Sequence, residues 1–131
     1  MANELTIGKR NMMSLVSDNP LGDLIKPLSH EVLLFDSYVA GTTYIKDESV
    51  FDDVKEGTKL MLQREPDNRF DENAILVLDE QKRKLGYVPE KDNLVFTRLM
   101  DAGKYLTATV RNYELQGAFR HINISIYLVD F

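Results

Sequence analysis

The residues with the clearest chemical potential lie in one polar stretch, residues 64–73. This stretch combines an amide at Asn68, an aromatic ring at Phe70 and a carboxylate at Asp71. Aromatic rings stack on unpaired nucleic-acid bases, and each stacked base stabilises a complex by about 1–3 kcal/mol. A carboxylate accepts a hydrogen bond from a sugar hydroxyl but repels a phosphate. Asp71 beside Phe70 would therefore suit the end of a nucleic-acid strand that bears a free hydroxyl.

Further aromatic side chains are expected near Phe70, where the loops of a small β-fold cluster. Tyr44 follows a predicted bend at residues 41–43, and either Tyr87 or Tyr113 is expected as an additional stacking surface. These residues also have structural interpretations. Phe70 is also consistent with a ring buried in the core, the more usual fate of a lone phenylalanine between polar residues, and Tyr44 with a ring that closes the mouth of a barrel.

The polar residues of the stretch have structural interpretations too. Asp71 or Asn73 is consistent with capping the backbone amides of the loop. Arg64 is expected to pair with Glu65 or Asp71 and so to order the loop. Gly86 is explained by a close backbone approach within a strand, without any ligand.

One short pattern suggests metal-dependent cleavage. Pro66-Asp67 followed by Glu80-Gln81-Lys82 matches the bare PD…ExK pattern of nucleases, in which acids hold Mg²⁺ and the lysine steadies the attacking water. All three side chains must converge for this chemistry. Because residues 80–82 fall in a predicted turn, convergence is not expected, and we predict neither catalysis nor a metal or other cofactor.

Composition points to one soluble, cytoplasmic domain. At 131 residues the chain has room for a single modest core. It contains no cysteine, which agrees with a reducing setting and excludes a thiolate zinc site. No signal-peptide run and no stretch of about 18 apolar residues is present, so no membrane association is predicted. Without cysteine or a G-x-S-x-G motif, a hydrolase with a covalent nucleophile is not expected.

The net charge of −5 disfavours a nucleic-acid partner, but the charge is unevenly distributed. Residues 1–53 hold nine acidic and four basic residues, whereas residues 54–131 hold twelve of each. The neutral part has enough lysine and arginine for a basic face, although an evenly mixed surface explains the same composition.

Alternating apolar residues predict short strands around one helix. Strands are expected over residues 32–44, 58–63, 74–78, 85–88, 106–111 and 121–128. A helix is expected over residues 89–103, and an acidic loop over residues 46–56. We therefore predict a mainly β (α+β) fold with one or two short helices, built as a small curled sheet or barrel of five or six strands.

Spacing also predicts which side chains face inward. The first strand is expected to place four alternate residues on one face: Leu33, Phe35, Ser37 and Val39. The helix is expected to place four residues on one face: Leu94, Val95, Arg98 and Leu99.

Residues 1–31 are predicted to be an N-terminal extension of a domain that covers residues 32–131. Within the extension, Pro20 favours a helix start, and four apolar residues follow at helical spacing: Leu21, Leu24, Ile25 and Leu28. So short a helix is stable only when it is docked. Residues 15–28 are therefore expected to contact their own domain, a second copy or a protein partner.

Three separated motifs are similar to the signature of the HIRAN domain family. Residues 39–44 match V-x-G-x-x-[YF], residues 62–75 match L-x-R-E-P-D-N-x-[FY]-D-x-N-A-I, and residues 86–90 match G-Y-V-P-E. The motifs occur in the family's order, and the resemblance covers about residues 33–131. This family occurs alone in bacteria and fused to fork-remodelling ATPases in eukaryotes, and the resemblance implies an OB-like barrel.

The resemblance also implies a pocket for the 3′ end of single-stranded DNA. In such a pocket Tyr44 and Phe70 would sandwich the terminal base. Asp71 would accept a hydrogen bond from the 3′-hydroxyl, and Asn68 would read the base or fix the loop. The chain departs from the family pattern at Thr43, where DNA-binding relatives carry an arginine that meets phosphate, and at Phe70, where they carry a tyrosine.

Three functional hypotheses follow. The first is a non-catalytic module that binds single-stranded DNA 3′ ends in DNA repair or at replication forks. The alternative is a non-catalytic protein-interaction module that acts through the barrel or through residues 15–28. The third is a metal-dependent nuclease that uses Asp67, Glu80 and Lys82.

Overall fold

The structure, a computed structural model, describes residues 30–130. The predicted N-terminal helix and its docking segment therefore lie outside the described residues. The strands are β1 (His30–Tyr38), β2 (Lys59–Arg64), β3 (Ile75–Leu78), β4 (Lys84–Tyr87), β5 (Tyr105–Gln116) and β6 (Phe119–Asp130). Helix α1 (Asn93–Asp101) lies between β4 and β5, and two short 3-10 turns, Thr42–Tyr44 and Glu48–Phe51, follow β1.

The six strands form one sheet in the order β1-β6-β5-β2-β3-β4. Strand β2 pairs antiparallel with both β3 and β5, and β3 pairs antiparallel with β4. The sheet curls into a half-barrel, in agreement with an OB-like fold. The predicted mainly β fold of five or six strands with a helix before the last two is confirmed.

Residues 39 and 40, just after β1, connect the β1 side of the sheet to β4, the strand at its opposite end. Val39 N donates to Ile122 O of β6 at 2.9 Å, while Ala40 and Tyr87 of β4 exchange backbone hydrogen bonds of 2.8 and 2.9 Å. A Cβ on Gly86 would lie 2.6 Å from Val39 Cγ1 and would overlap Ala40 O. The prediction that Gly86 serves a close backbone approach is therefore confirmed.

Alternate residues of the central strands form the core. Leu60 and Leu62 of β2 are buried, and every residue of β3 is buried. Alternate residues of β6 are also buried: Ile122, Ile124 and Ile126. Because burying a large aliphatic side chain contributes about 1.5–3 kcal/mol, these strands form a stable base for the loops between them.

The face predicted for the first strand is only partly right. Ser37 and Val39 are buried, but Leu33 and Phe35 are 55% and 45% exposed. Strand β1 is an end strand of the sheet, and Ser37 is its one buried residue. Phe35 instead rests against Phe96 of α1, with ring centroids 5.9 Å apart.

Helix α1 is shorter than the predicted 89–103 span, and its buried face matches the predicted one only in part. Leu94 and Val95 are 48% and 64% exposed. The buried residues are Asn93, Phe96 and Thr97. Hydrogen bonding contributes to the choice of this face, because Thr97 Oγ1 donates to Asn73 O at 2.6 Å. Leu99, by contrast, packs partly buried against the core, as predicted. No helix within residues 30–130 is long and apolar enough to cross a membrane.

The segment predicted as an acidic loop contributes to the core. Its 3-10 turn Glu48–Phe51 buries Val50 and Phe51, and Val54 follows them. Asp47 caps the turn by accepting a hydrogen bond from Ser49 N at 3.1 Å. The acidic residues face solvent, which is why the sequence alone resembles a loop.

Candidate functional site

A cavity of about 630 Å³ lies where the chain leaves β1 and meets β4. Its lining residues are Ala40, Gly41, Tyr44, Asn68, Phe70, Asp71, Ala74, Lys84, Tyr87, Val88 and Glu90. We call it the Tyr44–Phe70 cavity. The fold thus brings together most of the predicted binding residues, since Tyr44, Asn68, Phe70, Asp71 and Tyr87 all line it.

The two aromatic rings that name the cavity are almost fully exposed. Tyr44 is 86% exposed and Phe70 is 93% exposed. The interpretations of Phe70 as a core residue and of Tyr44 as a barrel plug are therefore wrong. Rings that contribute little buried area to the fold are available to stack on a planar ligand.

Gly41 sets the position of Tyr44. Its φ of 76° lies in the left-handed region, which glycine adopts without steric cost, and Tyr44 N donates to Gly41 O at 3.1 Å. A Cβ on Gly41 would lie 3.9 Å from Tyr44 Cδ2 and 4.0 Å from Tyr87 Cδ2. Both tyrosine rings therefore lie beside Gly41, whose left-handed backbone makes the turn, and the predicted bend is confirmed.

Asn68 fixes the loop that carries Phe70. Its Oδ1 accepts hydrogen bonds from the backbone N–H groups of Phe70 and Asp71 at 2.8 and 2.9 Å. Its Nδ2 donates to Glu65 Oε1 at 2.7 Å. An asparagine that bonds the backbone two and three residues ahead is a common device for rigid turns. The exposed ring of Phe70 is thus carried by a constrained backbone.

Tyr87 connects this loop to a cation. Its hydroxyl donates to Glu65 Oε1 at 2.7 Å and accepts from Lys84 Nζ at 3.1 Å. Lys84 Nζ also lies 4.4 Å from the centroid of the Tyr87 ring. Sequence reasoning did not assign Glu65 or Lys84 to the binding surface. The signals for them were the position of Glu65 within a family motif and the cluster of basic residues at 82–84.

These hydrogen bonds lower the pKa of Glu65. The largest cause is the hydrogen bond from Asn68, followed by that from Tyr87, and the charge of Lys84 acts in the same direction. The charged form of Glu65 is therefore favoured in the folded protein. In this form its carboxylate accepts the hydrogen bonds from Asn68 and Tyr87 that fix the loop.

Acidification is expected to weaken the fold through Glu65. A carboxyl whose folded pKa is depressed stabilises the protein above its unfolded pKa of about 4.3, and this contribution disappears as pH falls through the folded value. Glu65→Gln keeps the shape but removes the charge. In urea unfolding, the stability gap between the natural protein and Glu65→Gln should be largest near neutral pH and should close in acid. A gap that is constant with pH would contradict this role.

Asp71 is held between the loop and α1. Its Oδ1 accepts from Asn73 N at 2.9 Å, and its Oδ2 accepts from Asn93 Nδ2 at 2.7 Å. The predicted capping role is therefore correct for Asp71. Each carboxylate oxygen has a second lone pair, so capping leaves acceptor capacity at the cavity wall. Asn93, which was not predicted to contribute, is 2% exposed and orients this carboxylate from beneath.

Arg64 orders the loop, but through a partner different from the predicted ones. Its Nε donates to Asp101 Oδ1 at 2.9 Å, instead of to Glu65 or Asp71. Its two terminal nitrogens donate to Ala74 O at 2.6 Å and to Glu72 O at 3.0 Å. The planar guanidinium therefore binds the returning half of the loop and the end of α1 together.

Two predicted binding residues lie elsewhere. Thr43 is exposed but lines a separate, smaller cleft together with Arg120. Tyr113 of β5 accepts a hydrogen bond from Arg120 at 2.6 Å and does not line the Tyr44–Phe70 cavity. Tyr87, at the end of β4, is thus the tyrosine that joins Tyr44.

The residues of the nuclease pattern do not converge. In the β2–β3 pairing Arg64 is opposite Ile75 and Met61 is opposite Leu78. Asp67 therefore lies beyond one end of β3, and Glu80 lies beyond the other end. Among residues 30–130 there is no group of three or more His, Cys, Asp or Glu side chains that could hold a metal ion.

Comparison with models of known protein families establishes the family to which the chain belongs. The model of the HIRAN domain family matches residues 32–129. The chain belongs to the HIRAN domain family. The cavity-lining residues fall within the matched range, as do the hydrogen bonds of Asn68, Asp71 and Arg64. No curated protein sequence matches the chain significantly.

Solved structures agree with this assignment to the HIRAN family. A protein from Lactobacillus plantarum is 30% identical, with a TM-score of 0.73, and the match covers 79% of this chain and 99% of that one. The HIRAN domain of human HLTF is 20% identical, with a TM-score of 0.63, covering 78% and 79%. The HLTF domain in its DNA-bound conformation is 23% identical, with a TM-score of 0.53, covering 74% and 78%.

Proposed function

We propose that this HIRAN protein is a nucleic-acid-binding module that holds the 3′ end of single-stranded DNA in the Tyr44–Phe70 cavity. The observation that carries the proposal is the pair of exposed aromatic rings on one cavity, each mounted on a hydrogen-bonded turn. A soluble protein gains no stability from such rings. Stacking on an unpaired base would give them a function.

The other cavity residues suit the remaining parts of a terminal nucleotide. The carboxylate of Asp71 would accept a hydrogen bond from the 3′-hydroxyl, and the ammonium group of Lys84 would attract the backbone phosphate. Asn68 would act indirectly, by holding Phe70 in position. The existence of a DNA-bound structure of the related HLTF domain supports DNA as the ligand.

Fluorescence anisotropy with labelled DNA tests this function. We expect a 5′-labelled linear single strand to bind more tightly than a closed circle of the same sequence, because only the linear strand has a 3′ end. A blunt duplex should also bind weakly, since its terminal bases are already stacked. Equal affinity for all three substrates would overturn end recognition.

Asp71→Asn is expected to reduce the preference for a free 3′ end. The natural carboxylate attracts a 3′-hydroxyl and repels a 3′-phosphate, whereas the neutral amide does neither strongly. The ratio of affinities for 3′-hydroxyl and 3′-phosphate strands should therefore approach one, with a smaller change in overall affinity. Thermal unfolding should accompany the titration, because the amide cannot satisfy both Asn73 N and Asn93 Nδ2. An unchanged ratio in a folded variant would exclude Asp71 from hydroxyl recognition.

We further infer that the module acts without catalysis, in the cytoplasm, in DNA repair or at replication forks. The separation of Asp67 and Glu80 across β3 supports a purely binding role. Incubation of single- and double-stranded DNA with Mg²⁺ or Mn²⁺ should leave the DNA intact. Cleavage that is lost in both Asp67→Ala and Glu80→Ala would contradict this inference.

One observation favours a protein-interaction module as the second candidate. An apolar groove of about 340 Å³ lies between β1 and α1, lined by Leu34, Phe35, Lys91, Asp92, Val95, Phe96 and Leu99. Phe35 and Val95 remain 45% and 64% exposed. Binding through this groove should change little with salt, whereas each phosphate contact of a single strand adds about 0.7 to the log–log salt slope.

A further inference from the structure

The apolar groove between β1 and α1, which we call the β1–α1 groove, has a direction that follows from two contacts. Ser37 Oγ donates to Asp92 Oδ2 at 2.9 Å, immediately before α1 begins, and the rings of Phe35 and Phe96 lie 5.9 Å apart. As β1 advances from Phe35 to Ser37, α1 therefore runs back from Phe96 to Asp92. The C-terminal end of α1 consequently lies towards His30, where β1 begins.

Apolar side chains remain exposed in and beside the β1–α1 groove. Phe35 and Val95 on its walls are exposed, and so are Val32 and Leu33, which precede the groove on β1. Contiguous exposed apolar surface on a small domain typically marks an interaction site. Covering these side chains with a further apolar element would remove their surface from water, which is favourable.

The sequence immediately before β1 has the pattern of such an element. Leu21, Leu24, Ile25 and Leu28 recur at helical spacing, and Leu28 lies two residues before His30. These apolar residues lie outside the described part of the chain. A helix this short is stable in water only when it is docked, so the segment requires an apolar surface within its reach.

The length of this segment matches the distance to the groove. From His30 to Phe35 the strand covers about 17 Å, at about 3.3 Å per residue. Pro27 favours a helix end at residue 26, so a helix over residues 20–26 would be about 10 Å long, and residues 27–29 span at most about another 10 Å. A chain that reverses direction before β1 therefore brings Leu21 level with Phe35.

The charges agree with this direction. Lys91 lines the end of the groove farthest from His30, and its side chain is 67% exposed. Asp23 belongs to the first turn of the predicted helix, which the reversed chain brings to the same end. There its carboxylate complements both the ammonium group of Lys91 and the dipole of its own helix.

We propose that residues 20–28 fold back over β1 and dock into the β1–α1 groove of their own chain. Leu21 and Leu24 then cover Phe35 and Val95, and Asp23 faces Lys91. A protein partner can use the groove only by displacing this segment. The inference does not depend on DNA binding, because the groove shares no lining residue with the Tyr44–Phe70 cavity.

Cysteine cross-linking tests the proposal in the full chain, which contains no cysteine of its own. Disulfide formation under mild oxidation is followed on non-reducing gels. We expect Leu21→Cys/Val95→Cys to form an intramolecular disulfide about ten-fold faster than Leu21→Cys/Leu94→Cys, because the bond requires the two Cβ atoms to approach within about 4 Å. Leu94 is the matched control, since it is the neighbouring exposed residue of α1 and does not line the groove. Both α1 positions are exposed, so neither substitution removes a core side chain.

A third substitution shows whether the apolar stripe of the segment causes the proximity. Leu24→Asp, added to the Leu21→Cys/Val95→Cys protein, should abolish the ten-fold advantage in rate. Equal rates for the Val95 and Leu94 pairs, or no effect of Leu24→Asp, would show that the segment is not docked in the groove. A disulfide that joins two chains would also overturn the proposal, because the groove would then hold the segment of a second copy. All of these rates are measured without DNA, so failure here leaves the proposed function to its own tests.

Discussion

Phe70→Ala is expected to weaken single-stranded DNA binding by about 1–3 kcal/mol, or roughly 5- to 150-fold. The thermal unfolding of the protein should not change, because the ring is 93% exposed and contributes almost no buried area. Tyr44→Ala should behave similarly, since Tyr44 is 86% exposed on the same cavity. The backbone of the Phe70 loop is held by Asn68 and does not depend on the ring.

A matched control comes from another exposed aromatic residue. Phe119 of β6 is 46% exposed and packs edge-on against His121, outside the Tyr44–Phe70 cavity. Phe119→Ala should leave DNA affinity close to that of the natural protein. If Phe70→Ala lowered the melting temperature and left DNA binding intact, the ring would have a structural role and the binding surface would lie elsewhere.

Gly86→Ala is expected to have the largest effect on stability. An added methyl group would overlap Ala40 O and approach Val39 Cγ1 to 2.6 Å. Overpacking in a core typically costs about 1–3 kcal/mol, and here the obstacle is a backbone carbonyl, which moves less readily than a side chain. The Ala40–Tyr87 bridge that joins the two ends of the sheet should therefore open or shift. Urea unfolding of the variant measures the loss.

A double variant identifies which obstacle dominates at Gly86. Val39→Ala/Gly86→Ala removes the side-chain contact but leaves the overlap with Ala40 O. We expect no rescue of stability beyond the single variant. Because Ala40, Gly41 and Tyr87 line the cavity, Gly86→Ala should also weaken DNA binding at temperatures where the protein is folded. A Gly86→Ala protein with unchanged stability would contradict the close packing of Gly86 against Ala40 and Val39.

Sequence patterns predicted the strands well because burial on one face of a sheet imposes a period of two. Leu60 and Leu62 of β2 point inward alternately, as do Ile122, Ile124 and Ile126 of β6. For α1, helical spacing was right for Leu99, which packs against the core, and wrong for Leu94 and Val95, which are exposed. The buried face also includes Asn93 and Thr97, whose side chains hydrogen-bond to the loop of residues 71–73.

Side-chain pairs between residues distant in sequence cannot be predicted from local sequence patterns. Arg64 pairs with Asp101, 37 residues away, and Arg120 pairs with Glu48, 72 residues away. A sequence contains many oppositely charged residues, and only the fold selects among them. The location of Thr43 in a separate cleft has the same origin, because adjacent residues of a 3-10 turn point in different directions.

Most of the predicted residues that line the cavity were identified from family motifs and not from the periodicity of apolar residues. Tyr44, Asn68, Phe70 and Asp71 all belong to the motifs shared with the HIRAN family. Glu65 and Lys84 were missed as site residues, because a charge beside a turn resembles ordinary solvated surface. Their contribution became visible only from the hydrogen bonds that both make with the Tyr87 hydroxyl.

The most direct test of 3′-end recognition is a titration of the natural protein with two short single strands that differ only at their 3′ end. One carries a free 3′-hydroxyl and the other a 3′-phosphate, and both carry the same 5′ fluorophore. We expect the 3′-hydroxyl strand to bind more tightly, because Asp71 accepts from the hydroxyl and repels the phosphate. Equal binding of both strands, or tighter binding of the phosphorylated strand, would contradict recognition of a free 3′ end in the Tyr44–Phe70 cavity.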